Sequence, residues 1–292
     1  MIFLHIGLPK TYTTTLQFHV FKKIAKQLKI NYFFFGQDEK LDSFKLYKFF
    51  HNFAISSKNK KHRFNQINYK KKIIISYENL SISNYKNLPK NIHESAKILK
   101  KNFNSEVKII ITIREPFKYF NSLYNQLYNV GKIINKDYFI KDYSKFKNFS
   151  YRKLISYYTS FYKEVIIFKV DSKNFTKNLF KYFNISKFDK NILSYKHEKK
   201  SLSNFSMKVL IFLDKFFRFF KFDLYIYIKF IRNKLNTRNK TLSRWLDPIR
   251  ILKKIDKFLK LENSSQITKN DFNFSKLNDE YKNLPDILIL KK

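Results

Sequence analysis

Residues 2–17 read Ile2-Phe3-Leu4-His5-Ile6-Gly7-Leu8-Pro9-Lys10-Thr11-Tyr12-Thr13-Thr14-Thr15-Leu16-Gln17. The first five are an apolar run of strand length. It passes directly into a turn with one lysine and a dense cluster of hydroxyls, and a helical pattern follows from about Thr13 to Leu28. A helix N-terminus presents unpaired backbone N–H groups and a partial positive charge, so this arrangement suits an anion such as phosphate or sulfate. Lys10 adds a full charge, and Thr11, Thr13, Thr14 and Thr15 add donors. A single N-cap would need one hydroxyl, not four.

Outward from this segment, short β-branched runs recur: Asn31–Phe35, then KIIISY (Lys72–Tyr77), KIIITI (Lys108–Ile113) and VIIFKV (Val165–Val170). Helical patterns alternate with them: Leu41–Phe53, Pro89–Asn102, Pro116–Val130, Tyr151–Tyr162 and Asn174–Phe183, with a basic polar loop at Lys58–Arg63. Proline opens two of these helices, at positions where its missing N–H costs nothing. The alternation predicts an α/β fold over residues 1–195, a central parallel sheet flanked by helices. In such sheets ligands sit beyond the carboxyl ends of the strands. Three polar clusters fall at that edge: the threonine loop, Glu78 after KIIISY, and Arg114-Glu115-Pro116 after KIIITI.

The chain has 292 residues, 44% of them hydrophobic, with 34 Phe and 20 Tyr, which is ample for a packed core and excludes a disordered chain. Its 60 Lys+Arg against 22 Asp+Glu leave a net charge of +38. That balance invites a nucleic-acid reading. The lysines are nevertheless spread along the whole chain, and the abundant residues (Lys, Asn, Ile, Phe, Tyr) are those with AT-rich codons. Compositional drift plus an anionic ligand accounts for the charge better than a dedicated nucleic-acid binder. Cysteine is absent, so disulfides, thiolate metal sites and a cysteine nucleophile are excluded. The three glycines, Gly7, Gly36 and Gly131, cannot be arranged as GxxxxGKS/T, GxGxxG or GxSxG, and no HExxH occurs. The N-terminus does not read as a signal peptide, and no stretch reaches the roughly 18–20 uncharged residues of a membrane span. A cytoplasmic protein is expected.

After about Leu193 the pattern changes, and residues 196–292 are expected to form a mainly helical extension. Asn204–Leu235 reads as one long aromatic helix with Phe205, Val209, Phe212, Phe216, Phe219, Ile226 and Phe230 on one face. Lys208, Asp214, Lys215, Arg218, Lys221, Lys229 and Arg232 are expected opposite, with Asp223 as the exception. Such a helix either packs on the core or a partner, or lies on an anionic membrane surface, which would make the protein peripheral at the inner membrane. A basic loop at Lys234–Arg244 and an amphipathic helix at Pro248–Lys260 follow. The last thirty residues read as polar and loop-like, ending in an apolar Ile287–Leu290.

The threonine loop and the Arg114 segment together resemble the sulfotransferase family that uses 3′-phosphoadenosine 5′-phosphosulfate (PAPS), in particular its bacterial and carbohydrate-type members. These open with a strand and a Pro-Lys-Ser/Thr-Gly-Thr-Thr/Ser loop that binds the 5′ end of the donor. Here Pro9-Lys10-Thr11-Tyr12-Thr13-Thr14-Thr15 stands in that place. A later strand-loop-helix carries an R-x-P-x5-S segment that binds the 3′-phosphate, matched by Arg114, Pro116 and Ser122, with Tyr124 and Gln126 following. The separation of about a hundred residues also fits, and the resemblance covers roughly residues 1–185.

The resemblance implies a P-loop-like α/β fold, PAPS as co-substrate, no metal, and a hydroxyl acceptor on a glycan or glycolipid. Lys10 would contact the oxygen bridging sulfur and phosphorus, where charge grows as the bond breaks. Thr11 and Tyr12 belong to the same loop, and Thr13, Thr14 and Thr15 would cradle the 5′-phosphate. Arg114 offers a fork to the 3′-phosphate, and Ser122, two turns into the next helix, would close over it. Glu78 is the candidate general base. Its alternatives are a surface carboxylate or an ion-pair partner, and its rival as base is His5, which reads as a core or sheet-face residue. Lys10 could be a solvated loop lysine, and Arg114 a structural partner of Glu115 or another acid. Tyr12 replaces the usual glycine: either the loop keeps φ negative and turns the ring to solvent or adenine, or the protein is a catalytically impaired binding relative. Another nucleotide-dependent transferase or kinase, and a non-enzymatic basic adaptor for membrane or nucleic acid using the Phe-rich helix, are the remaining alternatives.

Overall fold

The short apolar runs become strands: β1 (Ile2–His5), β2 (Asn31–Phe34), β3 (Ile73–Ser76), β4 (Val107–Ile113) and β5 (Glu164–Lys169), joined by a sixth, β6 (Ile287–Lys291). The computed structural model describes residues 1–8, 15–34, 72–76, 88–103, 106–143, 149–186, 202–235, 246–261 and 275–292. The helical stretch at 41–53 and the basic loop at 58–63 lie outside them. The strands form one sheet in the order β2-β3-β1-β4-β5-β6. The first five are mutually parallel, and β6 runs antiparallel along β5, Val165 opposite Leu290. The α/β expectation therefore holds, as a mixed and mostly parallel sheet flanked by helices.

Contact density divides the chain into two units: Met1–Pro116 with Lys145–Lys196 and Phe274–Lys292, and Phe117–Ser144 with His197–Asn273. The first contains the whole sheet. Its helices are α1 (Phe21–Leu28), preceded by a π-wound turn over Leu16–Val20, and α2 (Leu88–Asn102). The second unit holds α3 (Pro116–Asn129), apart from its first residue, and α4 (Lys136–Tyr143). The chain then returns to the first unit with α5 (Tyr151–Phe161) and α6 (Phe175–Tyr182). The second unit is completed by α7 (Asn204–Phe219), α8 (Leu224–Phe230), a π-wound turn at Ile231–Leu235 and α9 (Pro248–Phe258). Finally α10 (Ser275–Asn283) leads into β6 within the first unit.

Alternating strand residues point to opposite faces. Phe3, Ile74, Ile110, Ile166 and Phe168 pack on one face against Leu16, Phe21 and Ile24 from the first helical segment and Phe175, Leu179 and Phe180 of α6. Their neighbours Ile2, Leu4, Ile73, Ile75, Ile109 and Ile111 are equally buried on the other face. Helices α2 and α5 pack together, and the Tyr162 hydroxyl just beyond α5 donates to the Ala96 carbonyl at 3.3 Å. Burial on both faces is why these strands read as unbroken apolar runs.

In the second unit, Tyr124, Tyr128 and Phe139 form an aromatic core in which Tyr124 and Phe139 meet edge to face at 4.9 Å. Gly131 ends α3 at φ +83°, and a Cβ there would come within 2.6 Å of the Ile228 side chain, so only glycine fits. Ser203 caps α7, its hydroxyl accepting from Ser206 N at 3.1 Å and donating to buried Asp256 of α9. Asp247 caps α9 with Pro248 at its first position.

Three expectations need correction. The tail is not loop-like, since α10 and β6 are regular elements and β6 completes the sheet. The single helix at 204–235 is two: Lys221 sits in the left-handed region (φ 60°) and Asp223 caps a new helix by accepting from Ile226 N at 3.1 Å. Finally, the side of α7 opposite the phenylalanines is not a lysine face. It is the buried face, made by Ser206, Met207, Leu210 and Asp214.

Candidate functional site

The carboxyl edge of the sheet is organised around β1, the strand that precedes the threonine loop. It lies between β3, which precedes Glu78, and β4, which precedes Arg114. His5, the last residue of β1, is in register with Ser76, the last of β3. After β1 the chain stays tied to β4 through Ile6 N, which donates to the Ile110 carbonyl at 2.9 Å. The three strands that precede the polar segments therefore end side by side at one edge. Pro9 to Thr14, which include Lys10, Thr11, Tyr12, Thr13 and Thr14, lie outside the described residues, as do Tyr77 and Glu78. Thr15 is described. Its backbone is already helical (φ −63°, ψ −42°) and its hydroxyl makes no capping bond.

Beneath this edge lies a polar network of which only His5 was expected, as the rival base or as a core or sheet-face residue. His5 is fully buried; its Nδ1 meets Ser76 Oγ at 2.7 Å and its Nε2 meets Thr112 Oγ1 at 3.1 Å. A neutral imidazole offers one donor and one acceptor, and hydroxyls can serve either, so both contacts can be satisfied at once. Gln17 Nε2 donates to the Ser76 carbonyl at 3.3 Å, tying the helix start to the end of β3. Burial pushes the His5 pKa down to about 3. The ring has no exposure to an acceptor and acts as a brace across β3, β1 and β4.

That brace has a pH signature. Because His5 binds its proton more weakly folded than unfolded, its stabilising effect is complete above about pH 6.5 and is lost as pH falls from there towards 3. Its neighbours Ser76, Thr112 and Phe21 carry no charge. Urea unfolding from pH 7 to 4 should show the native chain losing up to about 1.4 kcal/mol per pH unit more than His5→Gln, which cannot titrate. Equal slopes for the two proteins would refute the brace.

At the ends of β4 and β5 a second cluster forms. The Arg114 Nε stands 3.7 Å from Asp171 Oδ1, and Asp171 Oδ2 accepts from Glu115 N at 2.7 Å and from the Tyr281 hydroxyl at 3.3 Å. Tyr151 donates to the Arg114 carbonyl. Asp171 is thus an ion-pair partner of Arg114. Asp171 and Tyr281 escaped the sequence reading. Asp171 follows VIIFKV as Glu78 follows KIIISY, and the same strand-end logic would have found it. Burial and the Asp171 and Glu115 carboxylates push the Tyr281 hydroxyl upward, so it stays a donor. Ser122 is half-buried on α3 in the second unit, whereas Arg114 belongs to the first. Tyr124, quoted with the same motif, is a core residue whose hydroxyl donates to the Ile134 carbonyl at 3.1 Å.

A cavity of about 790 Å³ opens at the opposite, amino edge of the sheet, lined by Met1, Lys72, Lys108, Glu164, Lys181 and Lys291 among others. Lys108 pairs with Glu164 at 2.9 Å and Tyr182 donates to it at 2.8 Å. Parallel sheets place ligands at the carboxyl edge, so this hollow is not the candidate site. Among the described residues no cluster of His, Asp or Glu could hold a metal ion, and no helix is long and apolar enough to cross a membrane.

No family model and no curated protein sequence matches the chain. Solved structures with a remote likeness include one from the PezAT chromosomal toxin–antitoxin system of Streptococcus pneumoniae, at 14% identity over 66% of this chain and 82% of that one, TM-score 0.25. Another is the genome packaging NTPase B204 from Sulfolobus turreted icosahedral virus 2 in complex with ATP-gammaS, at 15% identity over 68% and 87%, TM-score 0.16. The same NTPase in complex with sulfate matches at 14% identity over 68% and 86%, TM-score 0.15. Likenesses this remote carry no argument about function.

Proposed function

We propose that the chain is a PAPS-dependent sulfotransferase that moves a sulfuryl group to a hydroxyl of a glycan or glycolipid. The observation that supports this reading is the strand order. The segments bearing Lys10 and the threonines, Glu78, and Arg114 leave the same edge from three neighbouring parallel strands. In this reading Glu78 takes the acceptor proton, the acceptor oxygen attacks sulfur in line, and the sulfur–oxygen bond to the 5′-phosphate breaks. Lys10 stabilises the charge left on that oxygen, and 3′,5′-ADP departs. Arg114 answers the 3′-phosphate. Its contact to Asp171, 3.7 Å from Nε to Oδ1, is longer than a charge-assisted hydrogen bond of about 2.7–2.9 Å.

Calorimetric titration with 3′,5′-ADP in the absence of magnesium tests the donor site. Micromolar binding is expected, weakened at least about tenfold in Arg114→Ala. No affinity at high micromolar concentration would sink the proposal. Binding of 3′,5′-ADP without any turnover of PAPS would select the impaired binding relative, with Tyr12 as the reason. Magnesium-dependent ATP binding in its place would select a different nucleotide-dependent transferase or kinase, a reading that the glycine count disfavours.

A further inference from the structure

The corrected geometry of α7 and α8 leaves most of their phenylalanines largely exposed, touching chiefly one another. Both helices bury one face within the second unit: Met207, Leu210 and Asp214 from α7, Leu224 and Ile228 from α8. The opposite side is exposed. Phe205, Phe212, Phe216 and Phe219 fall within about 60° of arc on α7. Phe212 is 67% exposed and Phe219 81%. The turn between the helices adds Phe220 and Phe222, the latter 67% exposed, and α8 adds Ile226 and Phe230. Single exposed apolar residues are ordinary, but a continuous stripe ending in an aromatic turn marks an interaction surface.

Charge decides the occupant. Lys208, Lys215, Arg218, Lys221 and Lys229 are exposed on the same two helices and their turn, while Asp223 is the exposed acid there. Arg218 shares the buried Asp214 at 2.8 Å. By helical spacing Lys208 and Lys215 lie beside the phenylalanine stripe, where long stems can lie along apolar surface with their ammonium groups lifted out of it. A two-fold contact with a second copy would bring like charges together. We infer that α7, the Phe220–Asp223 turn and α8 seat this protein on an anionic lipid surface, the rings entering the acyl boundary and the lysines facing headgroup phosphates. A basic, Phe-rich amphipathic helix is built for that plane.

The test uses the full chain with vesicles of phosphatidylcholine alone or carrying phosphatidylglycerol, and no nucleotide, so its outcome is independent of the donor chemistry. Sedimentation should show binding at least about tenfold tighter to the anionic vesicles. Phe212→Ser, Phe219→Ser and Phe222→Ser combined should lose most of it, with an unchanged circular dichroism spectrum. The chain has no cysteine, so Phe219→Cys carrying an environment-sensitive dye should blue-shift on anionic vesicles, while Lys177→Cys on α6 should not. Absent vesicle binding would overturn the inference. So would binding that survives the triple variant, since net charge alone would then explain it. A dimer dissolved by the triple variant, or an oligonucleotide that needs the same rings, would replace lipid with another partner.

Discussion

Asp247→Ala is expected to lower the unfolding free energy of the helical unit by about 3 kcal/mol, read by urea denaturation. The Asp247 carboxylate is fully buried and takes the Arg232 guanidinium through two bonds, Nε at 2.6 Å and Nη2 at 3.2 Å. It also accepts from Ile249 N at 3.0 Å and Arg250 N at 3.3 Å, capping α9. Arg232 in turn donates through Nη1 to the Asn129 carbonyl at 2.8 Å, so one acid ties α3, the turn after α8 and α9 together. Alanine removes the cap and leaves the guanidinium without that counter-charge in a largely buried setting. Asp247→Asn retains a capping oxygen and should recover about 1 kcal/mol. A loss below about 1 kcal/mol in the alanine variant would mean that this hub does not hold the unit.

Lys10→Ala is expected to slow PAPS-dependent release of 3′,5′-ADP by about 10²–10³-fold, with less than tenfold loss of 3′,5′-ADP affinity. Charge on the bridging oxygen grows only as the bond to sulfur breaks, so a lysine aimed there stabilises the transition state more than the bound ground state. Arg114→Ala should behave in the opposite way, because the 3′-phosphate carries the same charge throughout and its binding is uniform. Its loss belongs in KM and affinity. The contrast between the two variants separates a catalytic lysine from a binding arginine. Equal effects of both on affinity, with unchanged turnover at saturation, would remove Lys10 from the chemistry.

The sheet was legible because doubly buried parallel strands are spelled as isoleucine runs; KIIISY and KIIITI could be little else. The helix breaks were harder to see. A 3.6-residue period carried past Phe220 aligned Ile226 and Phe230 with the α7 stripe, although the chain turns there without glycine or proline. Asp223, the misfit on the wheel, was the available signal, since an aspartate directly before a new run caps it by accepting from the N–H three residues on. Ser203 and the Asp247-Pro248 pair are of the same kind. For the site, strand-end polarity pointed to Arg114, but its partner Asp171 needed the fold to bring β5 alongside β4. Tyr281 comes from 110 residues beyond Asp171, and no local pattern announces it. The brace of His5, Ser76 and Thr112 joins residues 71 and 107 apart, which periodicity cannot see.

Among the described residues, β1 is an interior strand of the sheet and β6 is one of its two edges. During synthesis, among the described strands, β1 first meets a partner when Ile73 emerges and is flanked on both sides when Val107 does, on the order of ten seconds later than itself at ribosomal speed. Until Ile287–Lys291 arrives, β5 keeps an apolar rim that can recruit a foreign strand. Such non-local pairing makes for slow closure and a prolonged window for misassociation, most of all while β5 still waits for the five residues of β6.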